Sequence, residues 1–250
     1  MPGDVNIAVQ LFSVRDHLGP ELGETCKQLA QIGYSHIEPY DIIGDTPALR
    51  RAMDDSGLRA ASAHANVLTD NRDRMIEAAG QLGIGTLIVP WVEAARYYDD
   101  RAGIEELAAG INAAARVAAD HGIRIGYHNH EFEFDHRVDG RPGYELLVDL
   151  LDDDVILQVD CFWASVGGTD PLDLLPRLGK RVRYLHVAYS PVPDPTKPPL
   201  LGGDGTLHLP EIIRGSADNV EMCVVEVVTE RPIFDALREN YEYFRGVLVA

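Results

Sequence analysis

The sequence predicts an α/β fold, a single (β/α)8-barrel over residues 1–250. Short apolar or β-branched runs alternate with longer segments of helical period, which is the signature of parallel βα units. Ionisable residues recur at the carboxyl ends of those runs, where a barrel builds its site. The chain length is also that of about one barrel. An open doubly wound sheet shares the alternation, but it would usually carry a glycine-rich phosphate turn after an early strand, and no GxGxxG follows Val5 to Phe12.

In chain order, the first strand falls on Val5 to Phe12 and carries Gln10, and the second, Ser35 to Tyr40, carries Glu38. The third, Arg59 to His64, ends on a histidine, and the fourth runs Thr86 to Trp91. The fifth, Arg124 to His130, holds two histidines, and the sixth, Val155 to Asp160, ends on a carboxylate. The seventh, Val182 to Val187, carries His186, and the eighth, Val220 to Val228, carries Glu226. Helices are expected over Glu21 to Gln31, Thr46 to Ser56, Arg72 to Leu82, Ile104 to Asp120 and Pro232 to Val247. Gly33, Gly57, Gly83 and Gly122 follow four of these helices as left-handed caps, so the turns into the next strand are short. The segments after the strands are longer, notably Glu131 to Gly143 and the proline-rich Tyr189 to Leu209, as a barrel's active-site loops are.

A formal charge of -18 repels phosphate backbones and anionic lipid, so neither nucleic acid nor membrane is an expected partner. Cys26, Cys161 and Cys223 are odd in number and far apart, which argues against a disulfide framework or zinc ribbon and for a reducing cytoplasm. The opening MPGDVNIAVQLFSVRD has no basic stretch followed by a long apolar one, and no apolar run is long enough to span a bilayer. A soluble, cytoplasmic protein is expected.

Strand parity sharpens the pattern. Gly126, His128 and His130 share one face of the fifth strand; Gln158 with Asp160, Tyr184 with His186, and Val224 with Glu226 do the same in the last three. With the other face packed on helices, these polar residues point into the barrel. Two carboxylates and one or two imidazoles suit one divalent ion of the Mn2+, Co2+, Zn2+ or Mg2+ kind. Taken singly, each has a plainer role: His64 as a hydrogen-bonded structural residue, Glu38 paired with an arginine, Asp160 capping the segment after it. Ending three consecutive strands together, Asp160, His186 and Glu226 favour a site.

The runs Tyr127-His128-Asn129-His130-Glu131-Phe132-Glu133-Phe134, Val159-Asp160-Cys161-Phe162-Trp163, Gly167-Gly168-Thr169-Asp170-Pro171, Tyr184-Leu185-His186-Val187 and Val224-Val225-Glu226 resemble the sugar phosphate isomerase/epimerase group of the xylose-isomerase-like TIM barrels. That group is similar in fold to ketose 3-epimerases, inosose dehydratase and endonuclease IV. The resemblance implies metal ligands after strands five to eight, which fall here on His128, Asp160, His186 and Glu226. The fifth-strand position is a glutamate in the epimerases, so His130 and Glu131 are rivals to His128. Glu133 matches a glutamate that touches substrate hydroxyls. Two departures stand out: His186-Val187-Ala188-Tyr189 replaces HVKD, and Glu226-Val227-Val228 replaces EQD.

The function expected from these residues is metal-dependent isomerisation or epimerisation of a keto-sugar or related polyol through an enediolate. Glu226 is the candidate acid/base as well as a ligand, with His130 opposite it. Gln10, Glu38, His64 and Glu133 would hold hydroxyls, and Trp163 would form an apolar wall. The runner-up carries the same enediolate to elimination, as a dehydratase or lyase of a keto-inositol or 3-keto-sugar. An endonuclease IV-like nuclease fits the charge poorly, and a non-catalytic sugar-binding barrel would show no proton exchange. The expected partner is a small carbohydrate, with a homo-oligomer left open.

Overall fold

The computed structural model describes residues 5–187, 207–216 and 218–249. Its order is β1 (Asn6–Gln10), α1 (Leu22–Ile32), β2 (His36–Glu38), α2 (Thr46–Ser56), β3 (Ser62–His64), α3 (Arg72–Leu82), β4 (Thr86–Val89), α4 (Ala94–Tyr97), α5 (Arg101–Ala119), β5 (Arg124–His128), α6 (Phe132–Asp135), β6 (Arg137–Val138), β7 (Arg141–Pro142), α7 (Gly143–Leu150), β8 (Ile156–Asp160), α8 (Cys161–Val166), α9 (Pro171–Leu178), β9 (Val182–Val187), α10 (Leu209–Ser216), β10 (Met222–Val225) and α11 (Ile233–Val249). The loop expected at Tyr189 to Leu209 lies mostly outside the described residues.

Eight parallel strands form the sheet in the order β2-β1-β10-β9-β8-β5-β4-β3. Its two ends meet through a bridge from His36 to Arg59 and through the His64 N–H, which donates to the Pro39 carbonyl at 2.8 Å. The barrel is therefore nearly closed. The third strand expected from Arg59 is interrupted: Arg59 pairs with β2, and regular pairing to β4 starts only at Ser62. β1 stops before Phe12 because the Gln10 side-chain oxygen accepts the Phe12 N–H and starts a 3-10 turn over Leu11–His17.

Strand parity separates two apolar populations, as a period of two requires. Val9, Ile37, Leu87, Ile125, Tyr127, Leu157, Val159, Leu185 and Cys223 belong to the large core that also takes in the helices. Ala8, Ile88, Ile156, Tyr184, Met222 and Val224 form a separate cluster inside the barrel. A Cβ on Gly126 would stand 2.6 Å from Ile88 Cδ1 and 2.9 Å from Ile156 Cγ1, so the lumen admits no side chain there. At the amino end Arg124 makes two 3.0 Å bonds to Glu221 and one of 3.1 Å to the Tyr184 hydroxyl.

Segment 131–143, expected as irregular, contains α6 and the hairpin β6–β7, which turns on Asp139 and Gly140 at φ of 53° and 78°. No helix among the described residues is long and apolar enough to cross a membrane.

Candidate active site

Asp160, His186 and Glu226 arrive from neighbouring strands. Asp160 pairs with His186 across β8 and β9, Val224 pairs with His186 across β10, and Glu226 follows two residues on. Asp160 Oδ1 accepts the Trp163 N–H at 2.8 Å and caps α8, while Oδ2 stays turned toward His186. The capping role and the site role thus belong to different oxygens of one carboxylate. Asn129 fixes its backbone: the Asn129 amide donates to the Asp160 carbonyl at 3.1 Å and accepts the Asp160 N–H at 3.0 Å.

His186 Nδ1 lies 3.2 Å from Glu226 Oε2 and 3.8 Å from Asp160 Oδ2. This buried nitrogen makes no hydrogen bond of regular geometry, and its near neighbour is Glu226, with which it forms an ion pair. Two carboxylates thus stand within 4 Å of one imidazole nitrogen, a donor set of the kind that could hold a cation. They border a cavity of about 110 Å³, walled by Phe162, Trp163, Val187 and Val228.

The electrostatics follow from burial and these neighbours. Burial pushes Asp160 up to about 7. Against burial, the flanking carboxylates Glu226 and Glu38 raise His186 to about 10. His186 in turn holds Glu226 below its ordinary value, again against burial. Burial lowers His130 to about 4, so its imidazole is neutral near pH 7. His130 Nδ1 is a second buried atom without a partner, and its ring lies 5.9 Å from that of Trp163.

The other expected residues occupy different places. Gln10 and Glu38 have no exposed surface, and Glu38 is ringed by donors from Gln10, Ser62, Gln158 and His186. They were expected to hold substrate hydroxyls; here their polar atoms bond one another and neighbouring side chains of the lumen. Glu133 is also buried, accepting the Tyr127 hydroxyl at 2.9 Å and the His130 N–H at 2.8 Å, so it braces His130 rather than lining the cavity. Burial raises its carboxyl to about 8. His64 is 8 % exposed, and its Nε2 sits 2.8 Å from Gln158 Oε1.

His128 lies among the histidines, its ring 4.5 Å from that of His186, with Nδ1 3.1 Å from Gln158 Oε1. Among the described residues, no ion pair joins it to Asp160 or Glu226, whereas His186 meets both. His64, His128 and His186 do offer nitrogens within 4.8 Å of one another. However, His64 Nε2, His128 Nδ1 and His186 Nε2 each already face an acceptor oxygen of Gln158 or Glu38.

Phe162, Val228 and Asn129 are site residues that the sequence reading did not single out. Continuing the parity of Glu226 reaches Val228, and Asn129 stands inside the YHNH run; the tie from Asn129 to Asp160 has no local signal. A wider groove of 500 Å³ between α3 and α5 has its two arginines paired, Arg96 with Glu106 at 2.6 Å and Arg72 with Asp73 at 3.1 Å.

A match to the xylose isomerase-like TIM barrel family runs over residues 26–245. The chain belongs to that family. Inosose dehydratase of Geobacillus kaustophilus (strain HTA426) is 25 % identical over 189 residues, covering 66 % of this chain and 60 % of the relative. A sugar phosphate isomerase/epimerase from Parabacteroides distasonis ATCC 8503 superposes with a TM-score of 0.80 at 19 % identity, covering 96 % of this chain and 98 % of that one. A xylose isomerase-like TIM barrel protein from Mycobacterium smegmatis in complex with magnesium gives 0.72 at 17 % identity, with 99 % and 97 % covered. Structural likeness at these identities shows the fold. Within this xylose isomerase-like fold, Asp160, His186 and Glu226 stand at the carboxyl ends of the strands, the face on which such barrels carry their chemistry.

Proposed function

We propose that this protein is a metal-dependent isomerase or epimerase of a keto-sugar or related polyol. The observation that carries the reading is the buried His186 Nδ1 facing two carboxylates at the edge of a cavity. Asp160, His186 and Glu226 would hold one divalent ion of the Mn2+, Co2+, Zn2+ or Mg2+ class. Such an ion supplies Lewis-acid polarisation of a carbonyl, which acidifies the carbon beside it.

The remaining work belongs to side chains. Glu226 is ionised at neutral pH and 26 % exposed, so it can accept a proton from the carbon α to a carbonyl seated in the cavity. His130, neutral and with Nδ1 unbonded, is the partner for a proton on the other face. Its place is held by Glu133 through the backbone N–H. Phe162, Trp163, Val187 and Val228 keep water from the substrate enediolate, which would otherwise be protonated at random.

Elimination is the second reading, favoured by the similarity to inosose dehydratase. Both readings share proton abstraction α to a carbonyl and differ in whether a β-hydroxyl leaves. Solvent deuterium uptake in a panel of keto-sugars and keto-inositols tests the shared step, and NMR of the products separates the two. Glu226→Gln, which keeps size and one acceptor oxygen, is expected to lower kcat by roughly 10²–10⁴-fold. Metal content is measured in parallel, because an emptied site gives the same loss. Wild type that converts substrate with no exchange would sink the enediolate; a Gln variant that exchanges at the wild-type rate moves the base elsewhere.

A further inference from the structure

Glu38 is the most heavily bonded carboxylate of the lumen, and it touches the site only through His186. Its Oε1 accepts from Gln10 Nε2 at 2.9 Å and from His186 Nε2 at 2.9 Å, with His64 Nε2 at 3.2 Å. Its Oε2 accepts from the Ser62 hydroxyl and from Gln158 Nε2 at 2.8 Å. Gln158 is fixed in turn, its oxygen facing His64 Nε2 at 2.8 Å and His128 Nδ1 at 3.1 Å. The carboxylate is thus held by side chains of β1, β3, β8 and β9, and with no exposed surface it cannot turn toward the cavity.

This arrangement settles which nitrogen of His186 faces which way. A carboxylate 2.9 Å from Nε2 keeps a proton on Nε2, so the proton that a bound ion would displace is the one on Nδ1. Nδ1 is the nitrogen turned toward Asp160 and Glu226. A carboxylate behind an imidazole also makes the imidazole a stronger donor and fixes its plane.

We propose that Glu38 is the positioning residue of the site: through His186 Nε2 it presents Nδ1 to the ion and sets the ion's affinity, and it never meets the substrate. The inference rests on the proposed metal site. Gln10, Ser62 and Gln158 are the clamp that keeps Glu38 behind His186, so the polar layer of the lumen serves the ligand.

The test is Mn2+ titration by calorimetry of wild type, Glu38→Gln and Thr86→Val, the last a control in the lumen at a residue whose hydroxyl lies 3.3 Å from that of Tyr184 and outside the clamp. Glu38→Gln is expected to bind roughly 10–100-fold more weakly, with Thr86→Val close to wild type. On wild type loaded with Zn2+, long-range ¹H–¹⁵N NMR is expected to show the His186 proton on Nε2 and Nδ1 bound. That measurement needs no variant and stands even if Glu38→Gln does not fold. Equal affinity in Glu38→Gln and wild type, an equal loss in Thr86→Val, or a His186 proton on Nδ1 overturns the role of Glu38 alone. Wild type that takes up no ion overturns the proposed function and this inference together.

Discussion

Glu133 has no exposed surface in α6, and both its oxygens accept bonds. Burial raises its carboxyl from 4.5 to about 8, so the folded chain holds that proton more tightly than the unfolded one. The resulting stabilisation is complete below pH 4.5 and is lost as the pH climbs through about 8, at most about 1.4 kcal/mol per pH unit. Glu133→Gln stays neutral and keeps an oxygen for the His130 N–H. Thermal melts from about pH 5 to pH 9 are expected to decline less in this variant than in wild type, and parallel curves would show that another group carries the slope. Residues of this kind mark the limit of a sequence reading. That Asp160, His186 and Glu226 would stand side by side was legible, because each lies at or just past the carboxyl end of a strand on one parity. The burial of Glu133 and the lumen place of Glu38 were not, because the deciding partners come from remote strands: Glu38 and His186 are 148 positions apart.

At the scale of elements, local chemistry was read well. The expected bounds of α2 and α3 are those observed, since caps are written in adjacent residues: Asp45 Oδ1 accepts the Ala48 N–H, and Gly57 and Gly83 close their helices at φ of 75°. The hairpin β6–β7 was missed although Asp139-Gly140 is its signal, because two residues on each side show no period. It delivers the chain to Gly143, where an added Cβ would meet Tyr98 Cδ1 at 2.5 Å. The Tyr98 hydroxyl is 3.1 Å from that of Tyr127, which bonds Glu133, so displacement there reaches the residue bracing His130. Gly143→Ala is expected to cost about 1–3 kcal/mol in denaturant unfolding through overpacking. Gly140→Ala, strained by its φ of 78° but with no atom within 4 Å of the added Cβ, costs about 1 kcal/mol and leaves the Tyr98 ring in place. Equal effects in the two variants would show that backbone strain, not the ring contact, dominates.

Across the whole molecule, the site is a place where the fold gives up stability. Forty acidic residues face twenty-two basic ones, and the carboxylates of Asp160 and Glu226 face one buried nitrogen. Asp160 is raised from 3.8 to about 7 by burial first, with the charge of Glu226 adding to it. Its contribution to stability is therefore full below pH 3.8 and lost as the pH passes about 7. Asp160→Asn removes the charge yet keeps a side-chain oxygen for the Trp163 N–H, so the cap of α8 survives. In chelator at about pH 8 this variant is expected to melt above wild type, since the fold no longer buries an ionised group that it disfavours. Adding Mn2+ reverses the order: an ion at about 100 times its Kd stabilises wild type by about 2.7 kcal/mol, and the variant, short of one ligand, gains little. Calorimetric melts of both proteins with and without Mn2+ test this crossing. A variant that gains as much as wild type removes Asp160 from the ligand set. One that melts lower even in chelator gives Asp160 a structural role that its helix cap alone does not explain.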